Sequence, residues 1–426
     1  MLHGDSTYTA RQTKVVIPKE LMVAKQAHEL FSFIAGHIKT FLETYHKEQL
    51  LASQPVLNLG FCFSFPAYQT SINSGVLLRW TKGFDIPEAV GTDVCQLLQH
   101  ELDRLQLPVR VSALVNDAAG TIMTRAYSLP VSKTRTSIGA IFGTGTNGVY
   151  LEQISKITKD IGEYDPSTGE MFLSIEWGSF DNKLSVLSNT KYDVEVNSAS
   201  VNRDNQMFEK RVSGMFLGEL LRVAVLEMHN DPEVALLPGI DQEGHPSPLY
   251  TRWAVDASIL SVAEADDSPE LNALRSKIQE SFGIPASAIS LVDIQAVKKV
   301  AHAIGRRAAR LAGMAIGAVV LQSGRLQYID PMVLPAVDVD GSHSNHDNDD
   351  GGEEEIVDEA RMVDVGVDGS VIELYPRFEQ YMREALRVIE GIGVSGERRI
   401  RIGIAKDGSS IGAAIIASLA AEQLNQ

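Results

Sequence analysis

Cysteine is nearly absent from this chain of 426 residues, which holds only Cys62 and Cys95. Two cysteines cannot build a disulfide framework, and these two have no metal-ligand spacing. They are expected to be buried, reduced thiols of an intracellular protein. Long apolar runs are missing as well. The longest, Leu311 to Leu321, is too short to cross a bilayer. The opening stretch, MLHGDSTYTARQTKVV, has no apolar signal core. The expectation is a soluble, cytoplasmic protein without a membrane span. Positive charge is the third shortage. Thirty-eight Lys and Arg face 55 Asp and Glu, a net charge of −17. Such a chain offers little to neutralise phosphates, so nucleic acid is excluded as a partner.

The acidity is concentrated. Residues 338–359 carry ten Asp or Glu and no Lys or Arg, leaving −7 for the rest of the chain. With Gly, Ser, Asn and His between the charges, VDVDGSHSNHDNDDGGEEEIVDE has little to pack, and a disordered acidic insertion is expected over 336–361. Asp340, Asp347, Asp349 and Asp350 lack EF-hand spacing, so no calcium site is read there and no protein metal ligand is named. A protein partner of this insertion stays open.

What remains is 44% hydrophobic, a globular composition long enough for two or three domains or one bilobal unit. Residues 26–45 have helical periodicity, with Leu30, Ile34, Ile38, Phe41, Leu42 and Tyr45 on one face. VLNLGFCFSFP (56–66) and VRVSALVND (109–117) alternate as strands. TSIGAIFGTGTNGVYLE (136–152) is strand, glycine turn, strand. Helices are expected over 206–229 and 294–322, a strand and turn over 363–376, and then a final strand, Gly/Ser loop and helix. The class is α/β, in two lobes.

Three turns share a chemistry. DAAGT, GTGTN and DGSS each join glycine to a small hydroxyl, and two of them carry aspartate. Glycines let backbone N–H groups approach an anion, and a helix N-terminus at 411–421 would favour one. Asp117 ends a buried strand and is followed by residues too small to cover it. In open α/β sheets ligands sit at the carboxyl ends of strands, where such a carboxylate can take a substrate proton. The alternative is an aspartate that merely caps the next helix.

The stretches GFCFSFPAYQTSINSGVLLRWTKGFDI, ALVNDAAGTIM, AIFGTGTNGVY, IEWGSFDN, TKYDVEV, FEKRVSGMFLGELLR, GVDGSVIELYP and AKDGSSIGAA run in one order across the chain. From about residue 4 to the end the chain resembles the hexokinases, the fungal ones especially. The resemblance implies a two-lobed ribonuclease-H-like fold of actin/hexokinase type with a cleft between lobes. The small lobe would be 1–115, N-terminally incomplete and completed by part of 404–426, and the large lobe 116–403. It implies glycolytic transfer of the ATP γ-phosphoryl, with Mg2+, to the 6-hydroxyl of glucose or a related hexose. Asp117 would be the base, with Lys82 as second catalytic residue. Ser64, Thr81, Lys82, Asn116, Asp117, Asn147, Glu176 and Glu209 would hold the sugar. Gly143, Thr144, Gly145, Thr146, Asp368, Gly369, Ser370, Asp407, Gly408 and Ser409 would hold the nucleotide. Carboxylates, amides, hydroxyls and one ammonium suit a hexose, whose hydroxyls stand at fixed angles.

The chain also departs from the family. A first phosphate motif resembling D-L-G-G-T-N is expected on an early hairpin, and no D-x-G-G-T-N occurs in the chain. Phosphoryl transfer rests on positioning and electrostatics, so this motif matters. Ala118, Lys406 and Ser410 stand where the family has threonine, an acidic residue and glycine. Two readings are therefore carried forward. One is a hexose kinase whose Met1 is an internal methionine of an incompletely read gene. The other is a catalytically impaired, hexokinase-like sugar sensor.

Overall fold

The computed structural model describes residues 7–51, 55–130, 134–159, 164, 166–240, 247–327 and 359–424. The acidic insertion therefore lies almost wholly outside the described residues. In chain order the elements that position the site are as follows. Helix α1 (Ala27–Tyr45) leads into strands β1 (Leu57–Cys62), β2 (Ala67–Ser71) and β3 (Ser74–Leu77). Helix α2 (Val94–Arg104), strand β4 (Val109–Val115) and helix α3 (Asp117–Ser128) follow. Then come β5 (Thr136–Phe142), β6 (Thr146–Gln153), β7 (Glu170–Ser174), α4 (Glu209–Val212), α5 (Gly214–Asn230) and α6 (Leu291–Ser323). The chain finishes with β8 (Val363–Asp368), α7 (Ser370–Leu374), β9 (Ile400–Ile404) and α8 (Gly408–Leu424).

Two sheets carry the architecture. In one, β1 pairs parallel to β4. The other has the order β7-β6-β5-β8-β9. Its β5–β6 and β6–β7 pairs are antiparallel, and β8 runs parallel to both β5 and β9. The hairpin β2–β3 stands apart from both. Each sheet has its own core. Phe31, Leu98, Leu102 and Val111 pack together around the first. Ile138, Phe142, Val365, Leu221 and Ala308 pack around the second. Helix α8 lies on β1 and β4, where Ala113 and Val115 meet Ala413 and Ala417.

The expected elements are present, with five differences. The α1 stripe buries Leu30, Phe31 and Leu42, while Tyr45 at its end is exposed. A capping box between Gln26 and Glu29 starts that helix. Strand β1 stops at Cys62, four residues short of Pro66. The expected helix over 206–229 is broken at Ser213, whose backbone is extended. The cause is tertiary: the Gly214 N–H donates to the carbonyl of Gly143 at 2.8 Å, anchoring α5 to the β5–β6 turn. The last helix begins at Gly408 rather than 411, so DGSS is its first turn and not a loop before it. Likewise the turn after β8 becomes the short helix α7.

Candidate active site

Strand β4 is buried at every position except Arg110, and it delivers Asn116 and Asp117 to the end of its sheet. Asn116, not Asp117, caps α3: its side-chain oxygen accepts the Ala118 N–H at 3.0 Å. Asp117 is thereby free to occupy the first helical position, half-buried. One of its oxygens accepts the same Ala118 N–H at 2.8 Å. Ala118 is fully buried against Ile122, Ile141 and Val149, so its small side chain fits the core and does not face the cleft.

Lys82 comes from the other side, on the loop after β3. Its backbone is left-handed (φ 56°), and its Nζ donates to the Ser64 carbonyl at 2.8 Å over the ring of Phe65. Thr81 beside it is 2% exposed. Across the cleft, Glu209 begins α4 and is 2% exposed. Its Oε2 accepts the Thr146 N–H at 3.0 Å. Burial lifts the Glu209 carboxyl above the usual range; the Thr146 amide and the Lys82 charge oppose this, while the charges of Glu176 and Asp117 add to it. Those influences place Lys82, Glu176, Glu209 and Asp117 in one electrostatic cluster.

Gly145 sits between Lys82 and Glu209. A Cβ there would meet Lys82 Cε at 2.6 Å and Glu209 Oε2 at 2.7 Å. A larger residue there would have to push the Lys82 and Glu209 side chains out of their present positions. Asn147 and Glu176 form the remaining wall. The Asn147 amide donates to Glu176 Oε1 at 2.8 Å, and its oxygen accepts the backbone N–H groups of Gly148 and Glu176. Glu176 is held in the left-handed region (φ 55°), a strained choice for a residue with a side chain.

The eight expected sugar residues thus converge. The expected nucleotide turns also meet, though not every member faces outward. Thr144 is exposed, whereas Thr146 is 4% exposed and its hydroxyl accepts the Trp177 indole N–H at 2.9 Å. Gly369 (φ 119°) presses on the β5–β6 turn, where an added Cβ would lie 2.6 Å from the Phe142 carbonyl. Ser370 is exposed at the start of α7. Asp407 accepts the Gln12 amide at 3.0 Å. Gly408 and Ser409 open α8, with Ser410 and Lys406 exposed beside them.

Two participants escaped sequence reasoning. Cys62 lies within the cluster, 3.9 Å from Ser64 Oγ. Burial first, and then the charge of Asp117, push its thiol up to about 12. The signal was there: Cys62 and Ser64 are two apart in an alternating strand and so share a face. Lys210 is the other. Its Nζ donates to Asn197 Oδ1 and the Asn202 carbonyl, and burial lowers it to about 8.

The sequence matches two family models, both described as hexokinase, over residues 1–127 and 137–419. The chain belongs to the hexokinase family. As a hexokinase it is an ATP-dependent hexose phosphotransferase. It is 44% identical to a glucokinase of Aspergillus niger over 445 aligned positions, covering 99% of this chain and 82% of that protein. Glucokinase-1 of Saccharomyces cerevisiae is 38% identical, with 98% and 81% covered. A solved hexokinase from Schistosoma mansoni complexed with glucose superimposes with a TM-score of 0.73 at 28% identity, covering 95% of this chain and 78% of that one. The hexokinase fold accounts for the two sheets and the cleft between them. No helix among the described residues is long and apolar enough to cross a membrane.

Proposed function

We propose that this hexokinase phosphorylates glucose, or a hexose that presents the same hydroxyls, with Asp117 as general base. The observation that carries the reading is the gathering of Lys82, Glu176 and Asp117 about the buried Glu209 carboxyl, with Gly145 between Lys82 and Glu209. Glucose is the sugar in the related Schistosoma mansoni structure, and two close relatives are called glucokinases.

In this mechanism Ser64, Thr81, Asn116, Asn147, Glu176 and Glu209 pair the sugar hydroxyls. The carboxylates accept, the amides do both, and a sugar lacking one hydroxyl leaves a buried group unpaired. Asp117 accepts the proton of the 6-hydroxyl as that oxygen attacks the γ-phosphoryl. Lys82 offsets the negative charge that gathers there. ATP enters as its Mg2+ complex, the ion neutralising phosphate charge. The turns at 143–146, 368–370 and 407–409 line the nucleotide side; Gly143, Thr146, Gly369, Gly408 and Ser409 spend their N–H groups within the protein, and the exposed Thr144 and Ser370 face the phosphates. The same reading takes residues up to 115 with part of 404–426 as the small lobe and the remainder as the large lobe, supported by the packing of α8 on β1 and β4. It puts the protein in the cytoplasm, where free thiols such as Cys62 and Cys95 persist.

The test is coupled-assay turnover of glucose with MgATP, for the wild type and Asp117→Ala. General-base removal is expected to lower kcat by about 10²- to 10⁴-fold, with glucose affinity by calorimetry within a few-fold of wild type. Undiminished turnover in Asp117→Ala would remove the base assignment. Glucose binding without any wild-type turnover would replace the kinase by the sugar-sensor reading.

A further inference from the structure

Asp368 ends β8, the central strand of the larger sheet, and is 7% exposed. Both of its carboxylate oxygens are occupied by the protein. Oδ1 accepts the Gly369 N–H at 2.8 Å, and Oδ2 accepts the Ser409 N–H at 3.1 Å. The first bond stays within its own turn. The second crosses to α8, a helix that packs on the other sheet, where Gly60 of β1 abuts Ala413. Asp368 therefore ties the two bodies together at the floor of the cleft.

The tie reaches further. Gly369 is seated on the β5–β6 turn; a Cβ there would lie 2.8 Å from the Gly143 nitrogen. The first turn of α8 is also held by α3, since Thr124 Oγ1 donates to the Gly408 carbonyl at 2.7 Å. A Cβ on Gly120 of the same helix would lie 2.6 Å from the Ser409 carbonyl. Three turns from distant parts of the sequence, 143–146, 368–370 and 407–409, thus meet through Asp368 and its neighbour. The turns can hold one polyanion between them only if they keep register, and a preorganised site costs no rearrangement at the moment of binding.

We propose that Asp368 is a positioning residue for the nucleotide: it does not touch ATP, and its two bonds hold the three anion-binding turns at their spacing. The proposal rests on the kinase reading for the identity of the ligand. It predicts that losing Asp368 weakens nucleotide binding and spares the hexose.

The experiment compares the full-length wild type, Asp368→Ala and Asp368→Asn by calorimetry with a non-hydrolysable ATP analogue plus Mg2+ at saturating glucose, and with glucose alone. Asp368→Ala is expected to weaken the analogue at least tenfold and glucose less than twofold. Asp368→Asn keeps one oxygen acceptor and should recover part of the loss. Hydrogen exchange on the nucleotide-free proteins supplies the second readout. Amides of 408–411 and 369–371 should exchange faster in Asp368→Ala, an effect that loss of a direct ATP ligand would not produce. Unchanged exchange with weakened analogue binding would make Asp368 a direct ligand and overturn the proposal, as would analogue affinity within twofold of wild type or a parallel loss of glucose. Because these are binding measurements, absence of wild-type turnover would strike the kinase reading and leave the tie to stand or fall on its own. Should Asp368→Ala fail to fold by circular dichroism, Asp368→Asn decides alone, and unchanged exchange in it would overturn the proposal.

Discussion

Buried carboxylates in this protein divide by what surrounds them. Asp364 is fully buried but faces the Arg125 guanidinium at 3.0 Å, an arrangement that compensates its charge. Among the described residues no cation pairs with Asp368. Burial first, and then the neighbouring carboxyl of Glu373, raise it to about 6 against the pull of the Ser409 and Gly369 amides. An unfolded aspartate titrates near 3.9. The folded state therefore binds this proton more tightly than the unfolded chain between about pH 4 and 6. The resulting stability is complete below that window and is lost as pH rises through the folded value. Asparagine does not titrate. The stability difference between wild type and Asp368→Asn is expected to move against the wild type by about 2 kcal/mol from pH 4.5 to 7. Thermal melts of both proteins across that range check it; a pH-independent difference would show that Asp368 ionises in the fold as it does in water. A site that keeps this charge despite its cost is consistent with a role in holding N–H donors rather than in stability.

At the scale of elements, α3 and α8 cross at two glycines. A Cβ on Gly412 would fall within the carbonyl of Gly120, leaving no room for even one methyl group. The crossing lets the helix that begins at Asp117 and the helix that begins at Gly408 start side by side. Gly412→Ala is expected to destabilise the protein by about 1–3 kcal/mol through overpacking, with turnover falling as the helices part. Gly36 gives the contrast. It lies inside α1 with nothing within 4 Å of an added Cβ. Gly36→Ala should stabilise by roughly 0.5–1 kcal/mol, because alanine loses less backbone freedom in a helix. Urea melts of the two variants check both signs; equal effects would mean that helix propensity, not the crossing, sets the outcome. Neither glycine announces its role in the sequence. SSIGAA and FIAGHIK both show one glycine in a helix-forming stretch, and only the neighbour from 292 residues away separates them.

For the molecule as a whole, the proposed sugar contacts come from both sides of the cleft, so on that reading glucose reports on both bodies. A ligand that binds only the folded state at 100 times its Kd adds about 2.7 kcal/mol. Saturating glucose is expected to raise Tm by several degrees and to protect residues 79–84 and 143–147 together from hydrogen exchange. Protection confined to one of the two segments would mean that the cleft does not close on the sugar.

The sequence by itself determined the α/β class and most elements, and it named the residue types of the proposed sugar site, because alternation, helical periodicity and motifs are local properties written in neighbouring residues. FSFP, TKG, ND, GTGTN, EWG and FEK each carry a residue of the proposed sugar site. Tertiary structure alone decided that Asn116 rather than Asp117 caps α3, that the helix after Glu209 breaks at Ser213, and that α8 starts at Gly408. It alone decided that Gly145 separates Lys82 from Glu209 and that Asp368 joins Ser409. Each of these depends on a carbonyl, an amide or an absent Cβ supplied from elsewhere in the chain. Such partners are set by how the packed sheets and helices meet, and no pattern within a single segment encodes them.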